Sequence, residues 1–402
     1  MVRAVFIGDD FTGASDTLAT FARAGWRTRL FLRPPQPSEC EGFDAIGIAT
    51  ALRALTPEAA QTVIEEIWPA IAALDPETLH FKICSTFDSS PRIGSIGDVT
   101  NDLARRFAPE HLAVIGGQPN LGRYCVFGTL FAKASDGNVH RIDRHPVMAQ
   151  HPVTPMGEAD LRLLLSEQGL GDLTLVRGDR PAELPLRALF DVYDSGDISR
   201  ISETFAGLSG RRLLVGASSV AQILTHGTTG SASTVPPAAP PNSRVFVVAG
   251  SRSSVTSAQV AKAEGFTKIR LLPEDMVNAP QIAEKAAEQL KANVPTLVHI
   301  DPKLDYGMSP DALALAFAKL TARIIDLAPV GWLGIAGGDT SSRICDLLDF
   351  SAIDYLSDFQ PGIGLNCALH SSPEINAMRL ILKGGQMGTP DLFNRFLEAA
   401  RT

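Results

Sequence analysis

Apolar and polar positions along this chain fall into repeating blocks. A run of four to six apolar residues is followed by a turn, then by a stretch with apolar residues at every third or fourth position. Short apolar runs bounded by turn residues predict buried strands, and the wider spacing predicts helices packed against them. Strands are expected at 3–8, 28–32, 45–49, 79–83, 112–115, 173–176 and 212–216, then at 244–249, 268–272, 295–300, 332–336 and 378–383. Helices are expected between most of them, including 14–24, 57–73, 157–168, 280–291 and 310–327. Thr56-Pro57 and Ser309-Pro310 join a capping hydroxyl to proline at the first helical position, a strong helix start. Strands alternating with helices in both halves predict two α/β domains with largely parallel sheets.

Two stretches break the rhythm. Residues 119–155 are irregular and polar, with Asn120, Arg123, Lys133, Arg141, Asp143, Arg144, His145 and His151. A loop of that length inside a compact domain is usually functional. Between His226 and Asn242, small residues and prolines without periodicity mark a linker. The expected organisation is therefore a first domain over 1–228, a linker over 229–243 and a second domain over 244–402.

Composition narrows the function. The 402 residues exceed what one hydrophobic core usually serves. A formal net charge of −8 argues against a nucleic-acid or anionic-membrane surface. The five cysteines are scattered without a C-x-x-C pair, as expected of reduced thiols in a cytoplasmic protein. No apolar run approaches the roughly 20 residues of a membrane span, and the first strand begins within two residues of Met1, leaving no room for a leader.

In α/β sheets, ligands bind at the carboxyl ends of strands. Three strand exits in the second half are glycine-rich: 250–254 with Ser251 and Ser253, 337–342 with Gly337, Gly338, Asp339 and Thr340, and 384–388 with Gly384 and Gly385. Glycine lets the backbone approach a phosphate, and the free N–H groups of a helix start point at it. Neither a P-loop nor a dinucleotide fingerprint is present, which speaks against a standard P-loop or Rossmann enzyme. The first half has exits of another kind. Asp9, Asp10 and Asp88 are carboxylates, Lys82, Arg92 and Arg123 are cations, and Ser85, Thr86, Ser89 and Ser90 are hydroxyls. That set suits a small polyhydroxylated acid, cations taking the carboxylate and Asp groups the hydroxyls. His140, His145 and His151 are spaced five and six apart, which fits no common metal pattern.

Asp9-Asp10-Phe11-Thr12-Gly13-Ala14, Lys82-x-Cys84-Ser85-Thr86-Phe87-Asp88-Ser89, His151-Pro152-Val153-Thr154-Pro155-Met156, Gly337-Gly338-Asp339-Thr340-Ser341 and Lys383-Gly384-Gly385-Gln386-Met387-Gly388 occur in that order. Together they resemble the four-carbon acid sugar kinase family over nearly the whole chain. Asp339 stands where that family usually has Glu, and Gly384 to Gly388 replace its usual Ser-Gly-Asn-Phe-Gly. The resemblance implies an N-terminal domain for a tetronate or 3-oxo-tetronate and a C-terminal domain for ATP, with the active site in the interdomain cleft. By the same resemblance, Asp9, Lys82, Ser85, Thr86, Arg123 and His151 bind the sugar acid. Asp10 or Asp88 orients or deprotonates the acceptor hydroxyl. Ser251, Ser253, Gly337, Gly338, Asp339, Thr340, Gly384 and Gly385 hold ATP, with Asp339 toward Mg²⁺. A homodimer is left open. Two other readings compete: a two-lobed sugar-acid-binding protein, which has no need for three phosphate turns, and a nucleotide-cofactor oxidoreductase, which lacks its fingerprint.

Overall fold

The computed structural model describes residues 2–134, 136–151, 153–177, 184–228, 238–276 and 279–402; residue 339 is described by its backbone only. The expected linker at 229–243 lies outside the described residues as far as 237. The chain divides into two compact units, Met1–Ser233 and Thr234–Thr402. Among the described residues, no helix is long and apolar enough to cross a membrane.

Unit 1 is built on eight parallel strands. Their order across the sheet is Thr28–Phe31, Ala45–Ala49, Ala4–Gly8, Thr78–Lys82, Arg212–Gly216, His111–Gln118, Arg187–Asp191 and Thr174–Val176. The chain leaves Ala4–Gly8 toward one edge and later crosses back to place Thr78–Lys82 on its other side. That reversal opens a crevice outside the carboxyl ends of these two strands, the usual ligand position in such sheets. Ala4–Gly8 and Arg212–Gly216 are buried throughout, as expected of strands covered on both faces. Helix Phe11–Arg23 buries Phe11, Ala14, Leu18 and Phe21, and Gly25 at φ +85° ends the helical run. Thr56 caps helix Pro57–Leu74 with Pro57 at its start, as the sequence predicts.

Three departures have physical causes. The polar stretch after residue 119 is an antiparallel meander, Arg123–Val126, Thr129–Lys133 and Val139–Arg141. Its strands are only four, five and three residues long and mostly half-buried or exposed, too short to show a period. Asp191 anchors it, accepting Phe127 N–H at 2.6 Å and Gly128 N–H at 2.8 Å. Strand Arg187–Asp191 and helix Ser195–Ala206 were not anticipated, because only three apolar residues sit between charged ends in that strand. The helix expected at 157–168 is confined to Leu161–Ser166.

Unit 2 repeats the plan. Five parallel strands run Thr267–Leu271, Thr296–Ile300, Val245–Ala249, Trp332–Ala336 and Met378–Lys383. An antiparallel hairpin, Ala352–Gln360 with Ile363–Leu369, extends the sheet beyond Met378–Lys383. Its turn is Pro361-Gly362 with Gly362 at φ +75°, the type II arrangement that only glycine or asparagine takes easily. Two register shifts in Ala352–Gln360 break the period-2 pattern, so the segment reads as a loop from sequence. The core of this unit joins Val245, Val247, Leu297 and Trp332 to Phe393 and Phe396 of the closing helix.

Candidate active site

The crevice of unit 1 gathers three strand exits. Asp9 N–H donates to Lys82 O at 2.9 Å, Thr50 N–H to Gly8 O at 3.0 Å, and Arg53 N–H to Asp9 O at 3.0 Å. These bonds bring Asp9, Asp10, Arg53 and Lys82 together. Arg53 grips Asp9 with two prongs, Nε to Oδ2 at 3.1 Å and Nη2 to Oδ1 at 2.8 Å, and Nη2 also reaches Asp10 Oδ1 at 3.0 Å. Asp10 Oδ1 in addition accepts Gly13 N–H at 2.9 Å, so Asp10 is the residue that caps helix Phe11–Arg23. Burial pushes the Asp9 carboxyl above its ordinary range, and the Arg53 guanidinium offsets only part of that. Burial also works against charge on Arg53, but the Asp9 and Asp10 carboxylates outweigh it and hold the guanidinium firmly cationic.

Lys82 is buried and donates from Nζ to Ile83 O at 2.8 Å. A Cβ on Gly13 would lie 2.6 Å from Lys82 Nζ and 2.4 Å from Asp10 Oδ1, so any larger residue there would push the ammonium and the capping carboxylate aside. Beyond Lys82 the exit turns sharply. Phe87, fully buried, adopts φ +55°, a left-handed conformation unfavourable for a bulky residue and typical of constrained functional loops. It sets Thr86 Oγ1 to donate to Asp88 Oδ1 at 2.5 Å, and Ser89 Oγ to accept from Gln168 Nε2 at 2.8 Å. Asp88 Oδ1 is thus engaged inside its own loop. Ser85 is half-buried in the same turn.

Two expected members sit elsewhere in unit 1. Arg123 begins the meander that leaves strand His111–Gln118, with strand Arg212–Gly216 between it and Thr78–Lys82. Its Nη1 donates to Leu121 O, while its buried Nε has no hydrogen-bond partner among the described residues. His151 Nδ1 accepts Thr154 N–H at 3.1 Å, holding the turn after the meander; Pro152 lies outside the described residues.

Sequence reasoning overlooked two groups. Arg53 was missed because it sits within a short 3-10 turn far along the chain, with no local motif around it. Ser218 follows strand Arg212–Gly216, donates to Asp16 Oδ2 at 2.5 Å and contacts Thr17 Oγ1 at 3.0 Å. Its signal was legible: Gly216-Ala217-Ser218-Ser219 has the same strand–small–hydroxyl–helix grammar as the turns of the second half.

Those turns leave three neighbouring strands at one level, since Ala249 pairs with Ala336 and Ala336 with Lys383. They touch one another through glycines. A Cβ on Gly250 would meet Thr340 Oγ1 at 2.3 Å, one on Gly337 would meet Ser251 N at 3.2 Å, and one on Gly385 would meet Ser251 Oγ at 2.5 Å. Gly337, at φ +125°, is the residue before helix Gly338–Leu347. Neither Asp339 nor Thr340 takes the cap position. Thr340 is buried against Gly250, and Gly338 opens the helix with no side-chain cap on its N–H groups among the described residues. Ser253 caps helix Ser254–Lys262 by accepting Thr256 N–H at 3.0 Å, and Ser251 Oγ accepts Ser253 N–H at 3.2 Å. Two helix starts and a glycine turn are thus clustered, and such an arrangement binds anionic oxygens through backbone N–H groups. Gly384 lies in the third turn, where Met387 N–H donates to Gly384 O at 3.2 Å. Lys383 lies fully buried beneath it.

The expected metal contact, Asp339, has a side chain outside the described residues. No cluster of three His, Cys, Asp or Glu residues that could hold a metal occurs among the described residues.

Comparison with known proteins agrees with this division of labour. Residues 4–224 match the family described as a sugar-binding N-terminal domain, and residues 246–393 the nucleotide-binding C-terminal domain. A 3-oxo-isoapionate kinase from Paraburkholderia graminis is 31% identical, covering 98% of this chain and 93% of its own. A 3-oxo-tetronate kinase from Actinobacillus succinogenes is 26% identical over 96% of this chain and 97% of its own. A crystal structure of a Haemophilus influenzae protein shares the fold, with a TM-score of 0.77, 24% identity, and coverage of 98% of this chain and 99% of that one.

Proposed function

The chain belongs to the four-carbon acid sugar kinase family, and from that premise we propose that it transfers the γ-phosphoryl group of ATP to the terminal (C4) hydroxyl of a four-carbon acid sugar: 3-oxo-tetronate, threonate or erythronate. The observation that carries this reading is the pairing of two unlike strand-exit sites, a charged cluster in unit 1 and a backbone cradle in unit 2. Phosphoryl transfer asks little covalent chemistry of a protein. It needs an aligned hydroxyl, neutralised phosphate charge and a group that takes a proton late.

In unit 1, Lys82 Nζ and the adjoining start of helix Phe11–Arg23 receive the substrate carboxylate; Arg123, expected as a second cation, stands beyond the intervening strand Arg212–Gly216. Ser85, Thr86 and His151 contribute contacts to the hydroxyls. Asp10 is the stronger of the two acceptor-activating candidates. Its side chain keeps 25% exposure, against a buried Asp88, and its Oδ2 makes no hydrogen bond among the described residues. Arg53 fixes both carboxylates of the Asp9-Asp10 pair, so that the open oxygen has a defined direction. In unit 2, Ser251, Ser253, Gly337, Gly338, Thr340, Gly384 and Gly385 form the phosphate cradle, and Asp339 would lie toward Mg²⁺. The ion, where bound, neutralises charge developing on the phosphate oxygens.

The higher identity to the 3-oxo-isoapionate kinase favours a second reading, in which the acceptor is a different or longer sugar acid. An ADP-release assay with 3-oxo-tetronate, threonate, erythronate and 3-oxo-isoapionate tests both. Turnover confined to the four-carbon acids supports the first reading. Turnover of 3-oxo-isoapionate alone supports the second, and no ADP release with any acid defeats the kinase assignment.

A further inference from the structure

Lys383 ends the strand Met378–Lys383 and has no exposed surface. Burying an ammonium is costly unless its donors are satisfied. Here all three are used: Nζ donates to Thr256 Oγ1 at 2.7 Å, to Gln259 Oε1 at 2.8 Å and to Gly385 O at 3.2 Å. The Gly385 carbonyl draws two further donors, Ser253 Oγ and Thr256 Oγ1, the latter at 3.0 Å. Gln259 also clamps the far side of the turn, its Nε2 donating to Met387 O at 3.0 Å and Thr389 O at 3.1 Å.

A carbonyl gripped by three donors fixes its whole peptide plane. The Gly385–Gln386 bond is trans, so a carbonyl turned inward aims the Gln386 N–H outward. Gln386 is exposed, and its N–H makes no hydrogen bond among the described residues. Were the plane flipped, a carbonyl oxygen would face the phosphates in its place and repel them.

We propose that Lys383 is a positioning residue of the nucleotide site: with Ser253 and Thr256 it holds the Gly385 carbonyl inward, so that the Gln386 N–H is presented to the phosphates. The inference rests on reading the three turns as a phosphate cradle, and it adds a built-in pH dependence. Only the ammonium has three donors; a neutral amine has two and must release one partner. Burial brings the Lys383 ammonium down to about 8. Among the described residues no charged group faces it: helix Ser254–Lys262 presents Thr256 and Gln259, the turn presents a carbonyl, and strand Trp332–Ala336 presents Ala336. Nucleotide affinity should therefore fall as pH rises through that value.

Stability should move the other way. Between about pH 8 and the unfolded value of 10.5, the unfolded chain binds more protons at this group than the folded one. Stability contributed by this site thus rises with pH across that window. A role in folding alone would not lower affinity while stability increases.

The test is calorimetric titration of ATP with MgCl₂ between pH 7 and 9.5, on wild type, Lys383→Met and Thr256→Val, with melting temperatures at each pH. Wild-type affinity is expected to fall by about three- to tenfold from pH 7 to 9, above the last titration of phosphate itself. Lys383→Met should bind ATP at least about threefold more weakly at pH 7 and show no such step, with sugar-acid affinity unchanged. A flat wild-type profile, or wild-type affinity in Lys383→Met, overturns the inference while leaving the nucleotide site in place. If Lys383→Met does not fold, Thr256→Val decides: it keeps the lysine but removes a donor to Gly385, and unaltered ATP affinity overturns the inference. Absence of ATP binding at every pH overturns the nucleotide reading and this inference with it.

Discussion

Units 1 and 2 use one scaffold for opposite chemistry. Each is built on a parallel sheet whose chain leaves a central strand toward one edge and later crosses back, and each carries its proposed site residues at that reversal. In unit 1 the exits carry side-chain charge: Asp9 and Asp10 after Ala4–Gly8, Arg53 after Ala45–Ala49, Lys82 closing Thr78–Lys82. In unit 2 the corresponding exits carry Gly250, Gly337, Gly384 and Gly385, so the backbone itself is the proposed recognition surface. The difference follows from the ligands. A sugar acid offers a few groups of different polarity, which need donors and acceptors at fixed directions. A polyphosphate offers many equivalent oxygens, and a concave set of N–H groups serves all of them.

That contrast can be broken most severely at Asp10. Asp10→Asn keeps the helix cap, since Asn caps about as well, but it cannot take the acceptor proton. Loss of a general base typically reduces rate by about 10²–10⁴-fold, so kcat should drop at least a hundredfold with the melting temperature nearly unchanged. Asp88→Asn, whose Oδ1 is engaged by Thr86, should fall far less. Equal losses in the two variants, read by steady-state kinetics, would mean that the open Asp10 oxygen is not the proton acceptor.

Lys82→Met is next in size. A charge-assisted hydrogen bond contributes roughly 1.5–3 kcal/mol, so KM for the sugar acid should rise about 10- to 100-fold. The neutral amide of the same sugar should be affected much less, and KM for ATP not at all. Similar losses for acid and amide would make Lys82 a structural residue and erase the proposed side-chain character of this site.

Gly385→Ala probes the other pole. Its Cβ would come within 2.5 Å of Ser251 Oγ, so that hydroxyl must turn away and give up the bond it accepts from Ser253 N–H. ATP affinity should weaken by about tenfold, roughly 1.4 kcal/mol, while sugar-acid affinity holds. Titration of both ligands against the variant checks this. Parallel losses would show that the turn does not serve the nucleotide alone.

How much of this was legible in the sequence differs between the two units for the same reason. Glycine turns are local: Gly337-Gly338 and Gly384-Gly385 stand beside the strands they terminate, so spacing alone locates them. Charged sites are assembled from distant segments. Asp9, Asp10, Lys82 and Asp88 could be named because each follows an apolar run, yet their clamp, Arg53, sits 44 residues from Asp9 with no pattern to announce it. Likewise, which aspartate caps the first helix depends on the bond to Gly13, which composition does not encode. The strands missed, Arg187–Asp191 and the bulged Ala352–Gln360, lack clean alternation because tertiary pairing rather than local pattern keeps them extended.

The smallest effect concerns stability, and it separates the charged unit's working residues from its core. His80 lies in strand Thr78–Lys82 two residues before Lys82, fully buried, with Nε2 3.1 Å from Gly216 O. Taking Nε2 as the donor in that bond leaves Nδ1 without a partner among the described residues, and a second proton there would be stranded away from water. Burial accordingly pushes the imidazole down to about 3, below its ordinary value of 6.5. The unfolded chain therefore binds more protons at this position between pH 6.5 and about 3, and stability is lost as pH falls through that window. At pH 6 the loss is only about 1 kcal/mol, a shift of roughly 2–4 °C in Tm for a unit of this size. His80→Gln can still donate to the Gly216 carbonyl but cannot titrate, so its Tm should fall by that much less than wild type between pH 7.5 and 6. Because the side chain has no access to the crevice, Lys82-dependent KM should stay unaltered in the same variant. If instead His80→Gln raises KM for the sugar acid as Lys82→Met does, the strand interior is part of the binding site, and the line drawn between charged exit and inert core is misplaced.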